Sequence, residues 1–560
     1  MANYEALLEQ KLFDNSNDHM VYADPDQIRI TYERARAICR ESGMTVEDCV
    51  ELRPKFWDFH RNFITTVDTA TATILTIHWN LAMGTIGAHA SHRPDLLPIL
   101  EQLKNFDAVG EYILTEIDHG LDARNIETTA TLQSDGSYDL HTPHPRAAKV
   151  MPPSTPWAGI PRIAIVFARL KIDGSDRGVK PFIVKLSEAT QLCQGVASRL
   201  LPKRSGARAI DHAITTFNHV RLNADALLGP PSLGQSRRRD FLQQISRLPV
   251  GGLALSLTYI PLLKKSAFIA GTWSIQRTVT TKDDGQQTSV INFSTQHRPV
   301  LLGLVQAEVF DTFADYAIDI LRTQSFSDDI RHGVAVCFKA TVHPEGQRTV
   351  NELADRLGWN GVFSFNRVIE LAQFSRGNGI AEGEILVICI KLVSEVLLGR
   401  YELPGPTMPD SPLARHEYGV WQEARHMASS FTNSAHRGKD FNTHILPRCR
   451  KMIEATGHRM AYEAAVASGR VEPEALALFE SHCIMSDPSW YCEYDGKTRQ
   501  QLFSSDAEIT QALLPQLSIM LGRTKARPWT NVPILSKQSW ETFVHKLPSF
   551  SAPHGPHAKI

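Results

Sequence analysis

The chain has 560 residues, 42% of them hydrophobic and 21% charged, which is ordinary globular usage for about three or four domains with ample core. Its 59 Lys and Arg balance 60 Asp and Glu, a net charge of −1, so there is no global field to gather nucleic acid or an anionic membrane. The eight cysteines are scattered without a CxxC pair, and the 22 histidines include no HxxxH or HExxH. No metal is expected on that spacing, and reduced, intracellular thiols are the default.

Residues 1–18 carry charges throughout and lack the apolar centre of a secretory signal, so export is not expected. Apolar residues then recur at three- and four-residue spacing over 28–42, 46–63 and 97–103, which makes residues 1–106 an all-α front. From 107 to 227 the texture changes to Thr-rich, alternating runs at 128–132, 163–172, 181–186 and 213–222. Turn clusters at Ser134-Asp135-Gly136 and Asp173-Gly174-Ser175-Asp176 separate them, so this block predicts an antiparallel β domain. After Leu228-Gly229-Pro230-Pro231 helical periodicity returns for 228–402. The uncharged stretch 248–263 contains Pro249, Gly251, Gly252 and Pro261 and falls short of the ~20 apolar residues of a membrane span. It is read as a buried helix, with no membrane partner. A Pro-rich linker follows, and 403–560 reads as a second C-terminal helical block to about 522 with a loose tail. The expected fold class is α+β, mainly α.

The stretch that organises the chain is Gly379-Ile380-Ala381-Glu382-Gly383-Glu384, set directly before the apolar run from Ile385 to Ile390 that continues through Leu392, Val393, Val396 and Leu397. Two carboxylates therefore stand at the start of a buried helix. Burial would raise a carboxyl's pKa towards neutrality and the helix N-terminus would lower it. On sequence alone both remain open as ordinary first-turn acids, or as a desolvated general base.

Thr115-Glu116-Ile117-Asp118-His119-Gly120, followed by Ile126-Glu127-Thr128-Thr129-Ala130, resembles the acyl-CoA oxidase segment that reads T-E-x-x-H-G and then L-E-T-T-A, at matching spacing. Asn218-His219-Val220-Arg221-Leu222, after Pro202-Lys203, is similar to that family's closing β-domain strand. Arg277 with Ser294-Thr295-Gln296 and Leu301-Leu302 resembles its arginine and glutamine at the flavin pyrophosphate. Glu382-Gly383-Glu384, after Gly358-Trp359-Asn360-Gly361, stands where the family has its E-G-E motif. The resemblance covers about residues 60–400.

That resemblance implies FAD as cofactor, held by Thr115 and Gly120 at the flavin edge and by Arg277 and Gln296 at the pyrophosphate. The last two would reach across a homodimer. It implies Glu382 as the base that removes the α-proton of an acyl-CoA thioester while the β-hydride leaves to the flavin, with O2 as final acceptor and hydrogen peroxide as product. A dehydrogenase with a protein acceptor and an inactive partner subunit are the other readings within the same fold. Ala558-Lys559-Ile560 is a loose variant of the Ser-Lys-Leu peroxisomal address. One segment departs from the family: Lys149-Val150-Met151-Pro152-Pro153-Ser154-Thr155-Pro156 stands in place of a Trp-Trp-Pro-Gly-Gly type segment, and proline supplies no backbone donor. An unusual acyl substrate or an inactive paralogue would each fit that change. Arg237-Arg238-Arg239 is read as solvated surface and His119 as structural.

Overall fold

The computed structural model describes residues 20–234, 236–281, 285–431 and 438–551. The charged N-terminal 1–18 stretch and Ala558-Lys559-Ile560 lie outside the described residues.

The front is helical. Pro25–Ser42 is started by the Asp24 side chain, which accepts from two first-turn amides, and it ends on Gly43 in the left-handed conformation. The run expected over 46–63 is two helices, Val46–Val50 and Pro54–Arg61. Proline lacks the donor a helix interior needs but suits its first position, so Pro54 starts a new helix. Asp68 then caps Thr69–Thr76, which passes into a π-helical turn, Ile77–Met83.

Nine strands follow: β1 (Val109–Ile113), β2 (Thr129–Leu132), β3 (Tyr138–His141), β4 (Lys149–Pro153), β5 (Arg162–Ile172), β6 (Ser175–Ser187), β7 (Val196–Leu200), β8 (His212–Phe217) and β9 (Val220–Leu222). The β5–β6 hairpin turns on Asp173 and Gly174, both at positive φ, the geometry that matches strand twist. The block is largely antiparallel, but β1 and β2 both pair in parallel with β5. The run expected over 213–222 is divided at Asn218 and His219, with β8 in a three-stranded sheet and β9 on the edge of a six-stranded one.

Helices Arg247–Leu257 and Tyr259–Gln276 form an almost continuous rod that is long and apolar enough to cross a membrane, yet 89% of that window is buried inside the protein. It is the buried helix the sequence implies; Ser294–Arg322, Asp328–Asp355 and Val368–Asn378 pack around it, and Ile385–Leu397 packs on Asp328–Asp355 and Cys449–Ser468. Residues 400–406 are non-helical, and Pro412–Ser429, Cys449–Ser468, Pro473–Ile484 and Arg499–Leu513 form the last block. One expectation is corrected here. The tail is not loose throughout, because Lys537–Val544 is a helix whose Trp540 ring packs against Trp359 and Phe365. Arg237, Arg238 and Arg239 are exposed, and Arg238 reaches from the surface to pair with the buried Glu395.

Candidate active site

Glu382 occupies the loop between helices Val368–Asn378 and Ile385–Leu397. Glu384 caps the second helix, its carboxylate accepting from the Val387 amide at 3.0 Å. That leaves Glu382, which stands at φ +56, beside Gly383 at +101. A non-glycine residue held in this region costs about 1–3 kcal/mol and persists where its surroundings over-determine it. Here Lys339, buried on helix Asp328–Asp355, donates from Nζ to the Ala381 carbonyl at 2.6 Å and the Gly383 carbonyl at 2.8 Å. The loop is therefore clamped on both sides of Glu382.

The carboxylate is aimed at the rod. A Cβ placed on Gly251 would lie 1.4 Å from Glu382 Oε2 and 2.5 Å from Asn80 Nδ2, so this close approach requires glycine. One turn earlier, half-buried Arg247 donates to the carbonyls of Asn80 and Cys49 at 3.0 and 2.8 Å. Asn80 returns a bond from Nδ2 to the Arg247 carbonyl at 3.2 Å and sits in the π-helical turn, a distortion that recurs at functional sites. Tyr112 projects from β1 towards the same group. Glu382 as a residue is half-buried, but Oε2 itself is sealed and has no hydrogen-bond partner. The Tyr112 hydroxyl and Asn80 Oδ1 are also buried without partners. Buried polar atoms are ordinarily satisfied, so three orphans in one cluster mark a place where a ligand completes the bonding.

The electrostatics suit proton transfer. Burial pushes the Glu382 carboxyl up to about 8, against the lowering pull of Lys339 and Arg247. Burial likewise brings Lys339 down to about 8, opposed by Glu382 and Glu384. Arg247 is lowered to about 10 for the same reason. A carboxyl poised near neutrality is what a general base requires.

Thr115 lies just beyond the end of β1, three residues from Tyr112, half-buried, with its carbonyl accepting from the Val150 amide at 3.1 Å. The two halves of its motif are tied together. Glu116 is fully buried, accepts from the amides of Glu127 and Thr128 at 2.7 and 2.9 Å, and pairs with Lys149 Nζ at 3.0 Å. His119 pairs with Glu127 at 3.0 Å, the structural role expected of it. Gly120 is exposed, with no atom within 4 Å of where a Cβ would stand.

Arg277 and Gln296 are elsewhere. Arg277 is exposed at the far end of the rod, about 39 Å from Gly251 at 1.5 Å per residue. Gln296 donates to Ser274 Oγ at 2.7 Å and to the Arg356 carbonyl at 2.9 Å. One chain thus brings Tyr112, on the strand that leads to Thr115, into the electrostatic reach of Glu382 and leaves Arg277 and Gln296 on another surface. The departing segment is anchored inwards. Ser154 is fully buried, hydrogen-bonded to Ser198 and Thr215, and the Pro153 carbonyl accepts from Arg162. Lys339, Arg247, Asn80 and Tyr112 were not singled out from the sequence; a lysine inside the apolar run Val334 to Ala340 was the one visible signal.

No family model matches the chain. It is 32% identical over 172 residues to acyl-coenzyme A oxidase 3 of Yarrowia lipolytica, covering 29% of this chain and 23% of that protein. It is 22% identical over 432 residues to the peroxisomal acyl-coenzyme A oxidase 2 of Arabidopsis thaliana, covering 70% and 61%. These alignments thus span less than two thirds of either relative's own length. Among solved structures, acyl-CoA oxidase 1 of Yarrowia lipolytica superposes with a TM-score of 0.79 at 17% identity over 99% of this chain and 90% of that one. A Caenorhabditis elegans acyl-CoA oxidase-1 complexed with FAD and ATP gives 0.70 at 14% identity over 94% and 92%. By sequence similarity and by fold, the chain is acyl-CoA oxidase-like.

Proposed function

We propose that the chain is an FAD-dependent acyl-CoA oxidase that introduces a trans-2,3 double bond into an acyl-CoA thioester. The observation that carries this reading is the sealed, partnerless Glu382 Oε2, held over Gly251 in a left-handed backbone conformation by the Lys339 clamp. Glu382 takes the proton from C2, the C2–C3 double bond forms as hydride leaves C3, and Lys339 holds the loop so that the base keeps its aim. FAD, when bound, would supply the hydride acceptor, with O2 as the final electron acceptor and hydrogen peroxide as the product. Thr115 and Gly120, at the open end of β1, fit the flavin edge, and the orphan Tyr112 hydroxyl and Asn80 Oδ1 fit a polar ligand between β1 and the rod. The names of the relatives favour the oxidase over the dehydrogenase reading. Purified protein should be yellow and should bleach on anaerobic mixing with an acyl-CoA; a colourless protein that takes up no FAD would support the inactive-subunit reading instead.

Arg277 and Gln296 serve the flavin of a second copy in this reading, which accounts for their distance from Glu382. Arg277→Ala is a surface change that should alter stability by no more than about 0.5 kcal/mol, yet it should weaken FAD retention in a homodimer. FAD held as tightly as in the wild type would remove Arg277 from the cofactor site.

The peroxisome is the proposed compartment, supported by the relative named peroxisomal and by Ala558-Lys559-Ile560. A fluorescent fusion leaving these residues free at its C-terminus should collect in peroxisomes and become diffuse when they are deleted. Diffuse signal from the intact tail would refute the targeting claim alone.

A further inference from the structure

Arg204 stands in the segment between β7 and β8, and packing fixes it where bonding does not. Gly206, at φ +69, lets that segment press onto helix Val368–Asn378, since a Cβ there would meet Gln373 at 2.2 Å. Two residues earlier the Arg204 guanidinium lies over the Phe374 ring, 5.1 Å from its centroid. It also fills the space beside Gly377, where a Cβ would stand 1.8 Å from Nη1. A planar fork seated on a ring and against a glycine is held in one orientation.

That fork holds nothing. Arginines drawn into the interior elsewhere are paired: Arg162 with Glu111 and Asp211, Arg298 with Asp506, and Arg459 with Glu417 and Glu463. Arg247 has its two carbonyls. Half-buried Arg204 makes no hydrogen bond or ion pair among the described residues, and its Nε is sealed without a partner. Burial lowers its pKa with no acid opposing the shift. A charge taken partly out of water is ordinarily paired, so this site lacks an anion.

Its place in the fold says what could bring one. The carbonyl of Gly377, beneath the guanidinium, accepts from the amides of Ile380 and Ala381 at 3.1 and 2.9 Å and so starts the loop that carries Glu382. On the other side stands His212, whose pKa is held down by burial and by Arg204. It donates from Nδ1 to the Met151 carbonyl at 2.6 Å, and the adjacent Val150 amide donates to the Thr115 carbonyl. Arg204 therefore lies in the seam between the Glu382 loop and the strand end that bears Thr115. Met151 and Ile380, flanking it, are exposed apolar side chains.

We infer that Arg204 binds a phosphate group of the CoA part of the substrate, its guanidinium meeting two phosphate oxygens at once. This rests on the acyl-CoA reading of Glu382. In that reading the reacting carbons lie at Glu382 and the FAD pyrophosphate is met by Arg277 and Gln296 of a second copy, which leaves the phosphates of CoA as the anions without a partner.

The test uses FAD-loaded Glu382→Gln protein, so that binding is measured without turnover. Titration calorimetry compares hexanoyl-CoA with hexanoyl-pantetheine, which carries the same thioester and no phosphate. Adding Arg204→Met, which keeps an apolar stem on Phe374, should weaken hexanoyl-CoA by about ten-fold or more, the scale of one charge-assisted contact. Hexanoyl-pantetheine should be unaffected, Arg204→Lys should recover part of the loss, and FAD should bind Arg204→Met apoprotein as tightly as wild type. An equal loss for both thioesters would make Arg204 structural and overturn the inference. Lost FAD affinity with hexanoyl-CoA unchanged would move the phosphate to the cofactor and overturn it as well. Hexanoyl-CoA that bleaches the wild type and binds Arg204→Met undiminished sinks this inference and spares the Glu382 reading. Failure of every acyl-CoA to bind sinks both.

Discussion

Glu382→Gln should leave FAD content near that of the wild type while slowing flavin reduction by an acyl-CoA by on the order of 10²–10⁴-fold, the scale of a lost general base. Glutamine keeps the shape and the contact over Gly251 but cannot take the proton. Glu384→Gln should be milder, because Glu384 acts on the Val387 amide as a cap. The wild-type rate should also carry a pH signature. The base works only when unprotonated, and burial places Glu382 at about 8, so reduction should accelerate as pH rises through that region and not near an ordinary carboxylate value. Lys339 pulls the Glu382 pKa down, so Lys339→Met should shift the midpoint upward as well as loosen the loop. The two groups titrate as a pair, and the profile reports their joint behaviour. The measurement is stopped-flow bleaching without oxygen between pH 6 and 10. A Glu382→Gln rate equal to wild type would remove Glu382 as the base, and a flat wild-type profile would contradict the buried-carboxyl argument.

Glu382 was legible as a candidate because its setting is local: a carboxylate, a glycine and an apolar run are neighbours in sequence. The partition between Glu382 and Glu384 was not, because it depends on which side chain turns back to Val387 and which turns out to Gly251. Lys339 lies 43 positions upstream, and its function comes from two carbonyls that only the fold delivers. Arg247 and Asn80 meet across 167 positions. Alternation located the strands, but pairing is a long-range property, so β1 and β2 running parallel on one edge of β5 left no trace in either segment. Pro54, visible in the sequence, divided the 46–63 run by removing a donor. The short helix Lys537–Val544 owes its place to Trp540 meeting Trp359, a contact that periodicity cannot foresee.

Arg162→Met should bring the largest loss of stability, about 3–5 kcal/mol, because breaking a buried charge network strands its remaining members. Arg162 is fully buried on β5. It donates to Tyr32 Oη at 2.7 Å, Glu111 Oε1 and Asp211 Oδ2 at 2.8 Å, and the carbonyls of Thr155 and Pro153 at 2.8 and 2.9 Å. These partners come from the first helix, from β1, from the segment before β8 and from the stretch that departs from the family. One guanidinium fork thus ties both sheets to the helical front, and a lysine cannot reproduce its geometry. Without it two carboxylates face each other in the interior. Burial already pushes Glu111 up to about 8 despite the arginine, so Glu111→Gln in the Arg162→Met background removes one stranded acid and should recover part of the loss. Arg162 also fixes Pro153 and Thr155, so the single variant should release FAD more readily even at temperatures where it remains folded. Denaturant unfolding checks the first claim and flavin retention on gel filtration the second. An Arg162→Met protein as stable as wild type would mean that the network contributes nothing net to the fold, and the anchoring of the 149–156 segment would then need another cause.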